Sequence, residues 1–253
     1  MSKTVLVTGG SRGIGRAASL LAAADGWDVA VNYAANADAA DEVVAAVQAE
    51  GQRAFAIQGD VSRVEDVEAI FAAVDREFGT LDALVNNAGI GATQGRLDET
   101  LPEDMISTFA VNVFGLFYCS QAAVRRMSTR HGGKGGAIVN VSSAAARTGG
   151  VNAFIDYAAS KGAVDVITTG LAREVGGEGI RVNAVRPGVT ETDMIREVIE
   201  KDPAWMEQVV ASMPMGRVGT ADEIGHCILW LMSDASSYVT GSIIDASGGR
   251  AVP

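Results

Sequence analysis

Thr4-Val5-Leu6-Val7-Thr8-Gly9-Gly10-Ser11-Arg12-Gly13-Ile14-Gly15 opens the chain with a short apolar run, a glycine-rich turn and the start of an amphipathic stretch. A β-branched run that ends in glycines and passes into helical periodicity reads as strand, tight turn, helix. Such a turn can hold an anion. The first amides of a helix lack partners within it, and glycines let phosphate oxygens come close to the backbone. Gly9, Gly13 and Gly15 are the close-approach positions, with Ser11, Arg12 and Ile14 between them. The spacing is GxxxGxG, not GxGxxG, so the turn by itself also fits a strand-to-helix connection without a ligand.

Outward from this turn, short apolar runs alternate with longer amphipathic stretches to the end of the chain, the pattern of βαβ units. Strands are predicted at 4–8, 28–33, 53–58, 83–86, 137–141, 181–185 and 242–245. They are continuous apolar runs, such as Ala83-Leu84-Val85, which suits a parallel sheet covered by helices on both faces. Three helix starts carry a hydroxyl cap with a reciprocal carboxylate: Ser62 with Glu65, Thr100 with Glu103 around Pro102, and Thr220 with Glu223. The expected fold is α/β: one Rossmann-type, doubly wound parallel sheet of about seven strands, forming a single domain over 1–253. A less regular segment at 190–215, carrying Pro203 and Pro214, is expected to be a small helical lid over a site. In such sheets ligands bind beyond the carboxyl ends of the strands.

The chain has 253 residues, 48% of them hydrophobic, and a net charge of -11. Its field repels phosphate backbones and anionic lipid surfaces, so neither nucleic acid nor membrane is an expected partner. Met1-Ser2-Lys3 leads straight into the first strand with no room for an export signal, and apolar runs are broken by charge, as at Asp25. A cytoplasmic protein is expected. Cys119 and Cys227 read as small buried hydrophobes, and neither they nor His131 and His226 have metal-ligand spacing.

In dinucleotide folds an acid about twenty residues past the turn takes the ribose 2′-hydroxyl of NAD, while an Arg accommodates a 2′-phosphate. Here the second strand ends Val31-Asn32-Tyr33-Ala34, without an acid, and Arg12 lies in the turn. The cofactor reading is NADP(H), with NAD(H) possible through Asn32 and Tyr33. Further on, Tyr157 and Lys161 lie four apart, on one face of a helix. A free Tyr has a pKa of about 10, and moving it towards neutrality takes about 4 kcal/mol, which a Lys cation and an oxidised nicotinamide in a dry site can supply together. Alone, Tyr-x-x-x-Lys is also a common surface pair. Val139-Asn140-Val141-Ser142-Ser143 brings a hydroxyl to the same rim, where Ser143 can donate to a carbonyl oxygen as charge develops, or merely cap a turn.

As a set these residues resemble the short-chain dehydrogenase/reductase family, and the resemblance covers nearly the whole chain. It rests on Thr8-Gly9-x-x-x-Gly13-x-Gly15 for the cofactor phosphates, Asp60-Val61 at the adenine end and Asn86-Asn87-Ala88-Gly89 after the fourth strand. Asn112, in Asn112-Val113-Phe114-Gly115, matches the family's helix Asn that holds a proton-relay water, and Ser143, Tyr157 and Lys161 match its catalytic triad. Pro187-Gly188-Val189-Thr190 matches the segment around the nicotinamide amide, with Thr192 close by, and Tyr238-Val239-Thr240-Gly241 matches the C-terminal signature. Of the two serines, the second is the family's usual choice, although the loop to Tyr157 is one residue longer than the commonest spacing.

The resemblance implies that NADPH gives hydride to a carbonyl carbon while Tyr157 gives a proton to the oxygen and Ser143 polarises it. Lys161 would bind the nicotinamide ribose and lower the Tyr157 pKa, and Asn112 would link Lys161 through water to solvent; no metal is needed. It also implies a homotetramer, which would cover the edge left by the last strand. A nucleotide-binding protein without turnover is the rival reading, but it would be expected to lack one of the four catalytic positions. The substrate is a small carbonyl compound or alcohol: a ketone or diketone, a sugar as in glucose dehydrogenases, or a 3-oxoacyl group on acyl carrier protein. Selection is expected from 91–97, 147–154 and 194–215, which hold Phe154, Ile195, Trp205, Met206, Met213 and Met215. An acidic chain with Gly176-Gly177-Glu178-Gly179 favours free carbonyls over an acidic carrier, although Arg125, Arg126, Arg130 and Lys134 could form a local basic face.

Overall fold

A computed structural model describes residues 2–91, 95–192 and 203–251. From the N-terminus run β1 (Thr4–Val7), α1 (Gly13–Ala24), β2 (Asp28–Tyr33), α2 (Ala37–Ala49), β3 (Ala54–Gln58), α3 (Val64–Phe78) and β4 (Ala83–Asn86). Next come α4 (Pro102–Phe109), a π-helical turn (Ala110–Gly115), α5 (Leu116–Met127), β5 (Gly136–Val141), α6 (Ala145–Thr148) and α7 (Ile155–Val175). The chain continues through β6 (Ile180–Pro187), β7 (Thr190–Glu191), α8 (Pro203–Ala211), β8 (Gly219–Thr220), α9 (Ala221–Met232) and β9 (Ile243–Ala246). Seven strands form one parallel sheet in the order β3-β2-β1-β4-β5-β6-β9, the doubly wound arrangement expected from the sequence.

The strands read as unbroken apolar runs because both faces are covered. Val5, Val7, Val29, Val31, Val85 and Val185 pack on one face against Ala22, Val43, Ile228 and Leu231 from α1, α2 and α9. The intervening residues Leu6, Ala30, Leu84, Ile138 and Val182 face Ile70, Phe71, Cys119, Met127 and Val175 from α3, α5 and α7. Cys119 is thus core, as expected, whereas Cys227 is only half-buried. The strand order reverses between β1 and β4, whose carboxyl ends open a crevice between helices that leave to opposite faces.

Of the three expected caps, Thr220 forms the full capping box with Glu223. Ser62 does not cap α3: its hydroxyl donates to Asp60 Oδ1 at 2.7 Å, and Arg63 takes the N-cap position. A carboxylate two residues back offers a stronger local acceptor site than the helix amides offer donors. Thr100 donates to Arg96 O at 3.0 Å, while Pro102, with its preset φ, makes Leu101 the N-cap of α4. The expectation that apolar runs are too short for a bilayer also needs correction. α4, the π turn and α5 are continuous, and Pro102–Met127 is long and apolar enough to cross one by length and composition. Here Cys119, Ala123 and Met127 set one side of α5 in the core against the sheet, while Ile106, Phe114 and Phe117 of the same run are exposed.

Part of the segment expected to form a lid is described. α8 lies in the segment, and β7 pairs with β8 across it, Thr190 with Gly219 and Glu191 with Thr220. Met194, Ile195 and the side chain of Trp205 lie outside the described residues, as do 92–94 of the first substrate loop. Met206 is half-buried, Met213 buried and Met215 exposed.

Candidate active site

The glycine turn leaves β1 and enters α1 with its first amides open: Arg12 is the N-cap residue, extended, and its side chain makes no capping bond. Gly9 and Gly13 have φ of +60° and +53°, a backbone region that only glycine enters without strain. A Cβ on Gly15 would stand 2.2 Å from Gly9 O and 2.5 Å from Asn87 Nδ2, so the turn closes on itself only with glycine there. Asn87 Nδ2 donates to Thr8 O and Gly9 O, and Thr8 Oγ1 accepts from the amides of Asn87 and Ala88. The turn and the loop after β4 are therefore one piece. Thr192 sits beside Gly13, 3.3 Å from where its Cβ would be, which brings the segment after β6 to the same place.

The other residues singled out for the cofactor are spread around this cradle. Ser11 is buried, Ile14 half-buried and Arg12 exposed. Asn32 is buried and spends its amide inside the protein, accepting from Gly9 N and donating to Ile57 O and Gly59 O. Tyr33, next to it, is half-buried. Asp60 is exposed and accepts from Ser62, while Val61 packs on Gly115. Gly89 lies against Asn112 Oδ1 and Lys161 Nζ, at 3.3 and 3.5 Å from its would-be Cβ. Pro187 ends β6, Gly188 N donates to Ala246 O, and Thr190 Oγ1 donates to Gly188 O, which anchors Val189 between them.

Tyr157 and Lys161 project from the first turns of α7, with Lys161 Nζ 5.7 Å from the Tyr157 ring centre. Lys161 is buried and donates to Val141 O at 2.9 Å, which ties it to the end of β5. The two serines part company. Ser142 is buried and donates to Lys161 O, whereas the Ser143 hydroxyl hydrogen-bonds to Tyr157 and accepts from Ala145 N. Asn112, buried in the π turn, accepts from Ile90 N and donates to Ile90 O and Ser160 Oγ, so it joins the β4 loop to α7 one residue before Lys161.

Burial pushes the Tyr157 phenol above its ordinary value of 10.0, against the pull of the Ser143 hydrogen bond. The phenol is therefore protonated at neutral pH, ready to donate. Burial lowers the Lys161 ammonium from 10.5 to about 8, with Asp165 opposing that fall. The site thus gathers two hydroxyls, one ammonium and an open helix N-terminus on the carboxyl rim of the sheet, with no group of three or more His, Cys, Asp or Glu among the described residues able to hold a metal.

A family model described as enoyl-(acyl carrier protein) reductase matches residues 9–251. The chain is 49% identical over 245 residues to the uncharacterized oxidoreductase YgfF of Escherichia coli (strain K12), covering 97% of this chain and 98% of that one. It belongs to the short-chain dehydrogenase/reductase family. It is also 39% identical over 251 residues to 3-oxoacyl-[acyl-carrier-protein] reductase FabG of Staphylococcus aureus (strain Mu50 / ATCC 700699), with 98% of both chains covered. A two-site variant of a Serratia marcescens short-chain dehydrogenase/reductase superposes with a TM-score of 0.91 at 35% identity, over 99% of this chain and 98% of that one. As a member of this short-chain dehydrogenase/reductase family, the protein is an oxidoreductase of a nicotinamide-dependent class that acts on small carbonyl or alcohol substrates.

Within this family framework, the structure gives roles to residues that the motifs contain without a role of their own. Thr8 organises the turn through its hydroxyl, although the motif names it only as the residue before Gly9. Asn86 Nδ2 donates to Ser120 Oγ and Asn140 Oδ1, and Asn140 Nδ2 donates to Thr168 Oγ1, a buried polar ladder beneath the site. Its sequence signal was an Asn inside each of two otherwise apolar strands.

Proposed function

We propose that this protein transfers hydride between NADP(H) and a free ketone or secondary alcohol, with Tyr157 as general acid and base. The observation that carries this reading is the Tyr157 phenol hydrogen-bonded to Ser143, one turn from the buried Lys161, which lies against Gly89 in the loop that Asn87 bonds to the glycine turn. A dinucleotide fits the cradle: the uncapped amides of α1 are where its phosphates would sit, and the glycines at 9, 13 and 15 let the backbone turn tightly enough to present them. Bound NADPH would supply the hydride. Tyr157 holds the proton that the reduced oxygen needs, Ser143 orients that oxygen, and Lys161 offers its remaining N–H donors to ribose hydroxyls. Asn112 would link Lys161 through water to solvent, and the 187–192 segment would position the nicotinamide end.

Arg12, exposed at the N-cap, and the acid-free end of β2 support NADP(H) over NAD(H), since a guanidinium can meet a 2′-phosphate. Support for free carbonyls over carrier-bound acyl chains comes from the basic cluster. Arg126 is paired with Asp75 at 2.6 Å and Arg130 lies 4.0 Å from Glu178, so their charge is partly spent. The cluster also runs from the last turn of α5 to the loop before β5, on the rim opposite Ser143 and Tyr157. Exposed Ile106, Phe114, Phe117 and Val166 on α4, the π turn, α5 and α7 suit a homotetramer, and α8 with the β7–β8 pair suits a lid over the substrate. The working compartment is the cytoplasm.

The test is ketone reduction by Tyr157→Phe beside the wild type. Turnover is expected to fall by a factor on the order of 100 or more, with NADPH affinity nearly unchanged. Near-normal turnover would refute the mechanism. A large preference for an acyl-carrier substrate over the same acyl group on a small thioester, weakening with salt, would favour the 3-oxoacyl reading instead.

A further inference from the structure

Four charged side chains form a continuous line beneath the site. Asp165 stands one helical turn beyond Lys161 on α7. Its Oδ2 accepts from Arg186 Nε at 3.0 Å and Nη2 at 2.8 Å. Arg186 Nη1 lies 3.4 Å from Oδ1 of Asp245, its register partner on β9, and Asp245 Oδ2 lies 3.6 Å from Arg147 Nη1 on α6. The inner pair is the costly one. The side chains of Arg186 and Asp165 are 14% and 11% exposed, and Asp165 Oδ1 is buried with no hydrogen-bond partner. A buried ion pair with an unsatisfied oxygen is poor for stability compared with apolar packing, so its placement calls for another gain.

The placement supplies one. The line joins the three backbone segments that build the site: α6, just past Ser143; α7, with Tyr157 and Lys161; and the end of β6, which leads into Pro187–Thr190. We propose that Asp165 and Arg186 are a positioning pair, fastening the Lys161 turn of α7 to β6 and supplying the carboxylate that keeps the Lys161 ammonium charged. This rests on Lys161 being a working residue of the hydride-transfer site.

Lys161 is buried in a setting that lowers its proton affinity, and Asp165 is the group acting against that. The charged and titratable groups around it are Tyr157, Asp156 and Asp165 on its own helix, Arg186 from β6, Asp245 from β9 and Arg147 from α6. α4 adds the exposed Glu103 and the half-buried Asp104 in its first turn. The π turn and the loop after β4 bring only the uncharged Asn112 and Gly89. Asp165 thus favours the charged Lys161, and the cation of Arg186 on the same carboxylate is expected to act with the opposite sign, a difference that a purely structural pair would not show.

The chain has only four lysines, Lys3, Lys134, Lys161 and Lys201, so lysine labelled with carbon-13 at Cε gives a spectrum in which the Lys161 signal is the one missing from Lys161→Met. Its titration reads the Lys161 charge without any turnover. Asp165→Asn is expected to move the midpoint down by about one pH unit, Arg186→Gln to move it up, and Asp165→Glu to restore it. The alkaline limb of kcat for ketone reduction should follow each midpoint. An unmoved midpoint in Asp165→Asn, or movement of both variants in the same direction, overturns the proposal. Should Asp165→Asn fail to fold, Asp245→Asn leaves the buried pair in place and is expected to give a smaller downward shift, and no shift there overturns it too. Midpoints that move as expected in a protein that reduces no ketone would support the pair and refute the proposed function.

Discussion

Replacing Lys161 with Met should make the protein more stable near neutral pH while destroying its turnover. The unfolded chain keeps the lysine proton up to 10.5, whereas the folded protein releases it at about 8. Between those values the unfolded state binds more protons, so folding stability rises with pH; below about 8 the whole penalty for burying the ammonium is present, and above 10.5 it is gone. At about 1.4 kcal/mol per pH unit, that gap is worth about 3 kcal/mol. Met fills a similar volume without charge. Against this stands the loss of the hydrogen bond to Val141 O, which leaves a carbonyl unpaired at a cost of about 1 kcal/mol. The charge effect wins, and Lys161→Met should gain about 2 kcal/mol near pH 7, shrinking to nothing or slightly negative near pH 10. Urea unfolding of both proteins at one fixed concentration, near each pH, measures the difference. A variant that is less stable near pH 7, or a difference that does not narrow with rising pH, would refute the assignment of Lys161 as a buried, strained cation.

Gly15→Ala should abolish cofactor binding or unfold the turn, because its Cβ would sit 2.2 Å from Gly9 O; NADPH fluorescence titration with circular dichroism reads both outcomes. Tyr33→Asp puts a carboxylate at the end of β2 and is expected to move the kcat/KM ratio from NADPH towards NADH by roughly tenfold or more, with initial rates as the check. The double variant Ile106→Glu with Phe117→Glu places charge on an exposed apolar face of α4 and α5 and should reduce the oligomer to a smaller species on light scattering. An unchanged mass would place the subunit contact elsewhere.

The strands were legible because this sheet is buried on both faces, so each one shows as an apolar run with glycines or caps at its ends. Thr220 was legible as a cap because the carboxylate nearest its hydroxyl, Glu223, is itself the reciprocal partner in the capping box. Ser62 was misread because Asp60, two residues back, is a better partner than any helix amide. Ser143 and Tyr157 could be placed on one rim from strand and helix order, since strand ends and helix starts set direction. The Asp165 to Arg186 pair could not: it joins residues 21 apart on different elements, and the register that aligns Arg186 with Asp245 exists only once β9 has docked. The π turn left no sequence signal either, because a shifted backbone hydrogen-bond pattern needs no particular residue type, yet it is what carries Asn112.

The two-residue ladder between β7 and β8 ties the two ends of the connection between them at a neck. Lengthening such a loop is cheap, since each doubling adds only about 0.6 kcal/mol of closure entropy, and the proton-handling residues lie outside it. This stretch is therefore an exchangeable cassette: grafting the corresponding segment of a relative between Thr192 and Gly219 should swap substrate range while leaving the cofactor cradle, Thr192 included, and the Tyr157 chemistry in place.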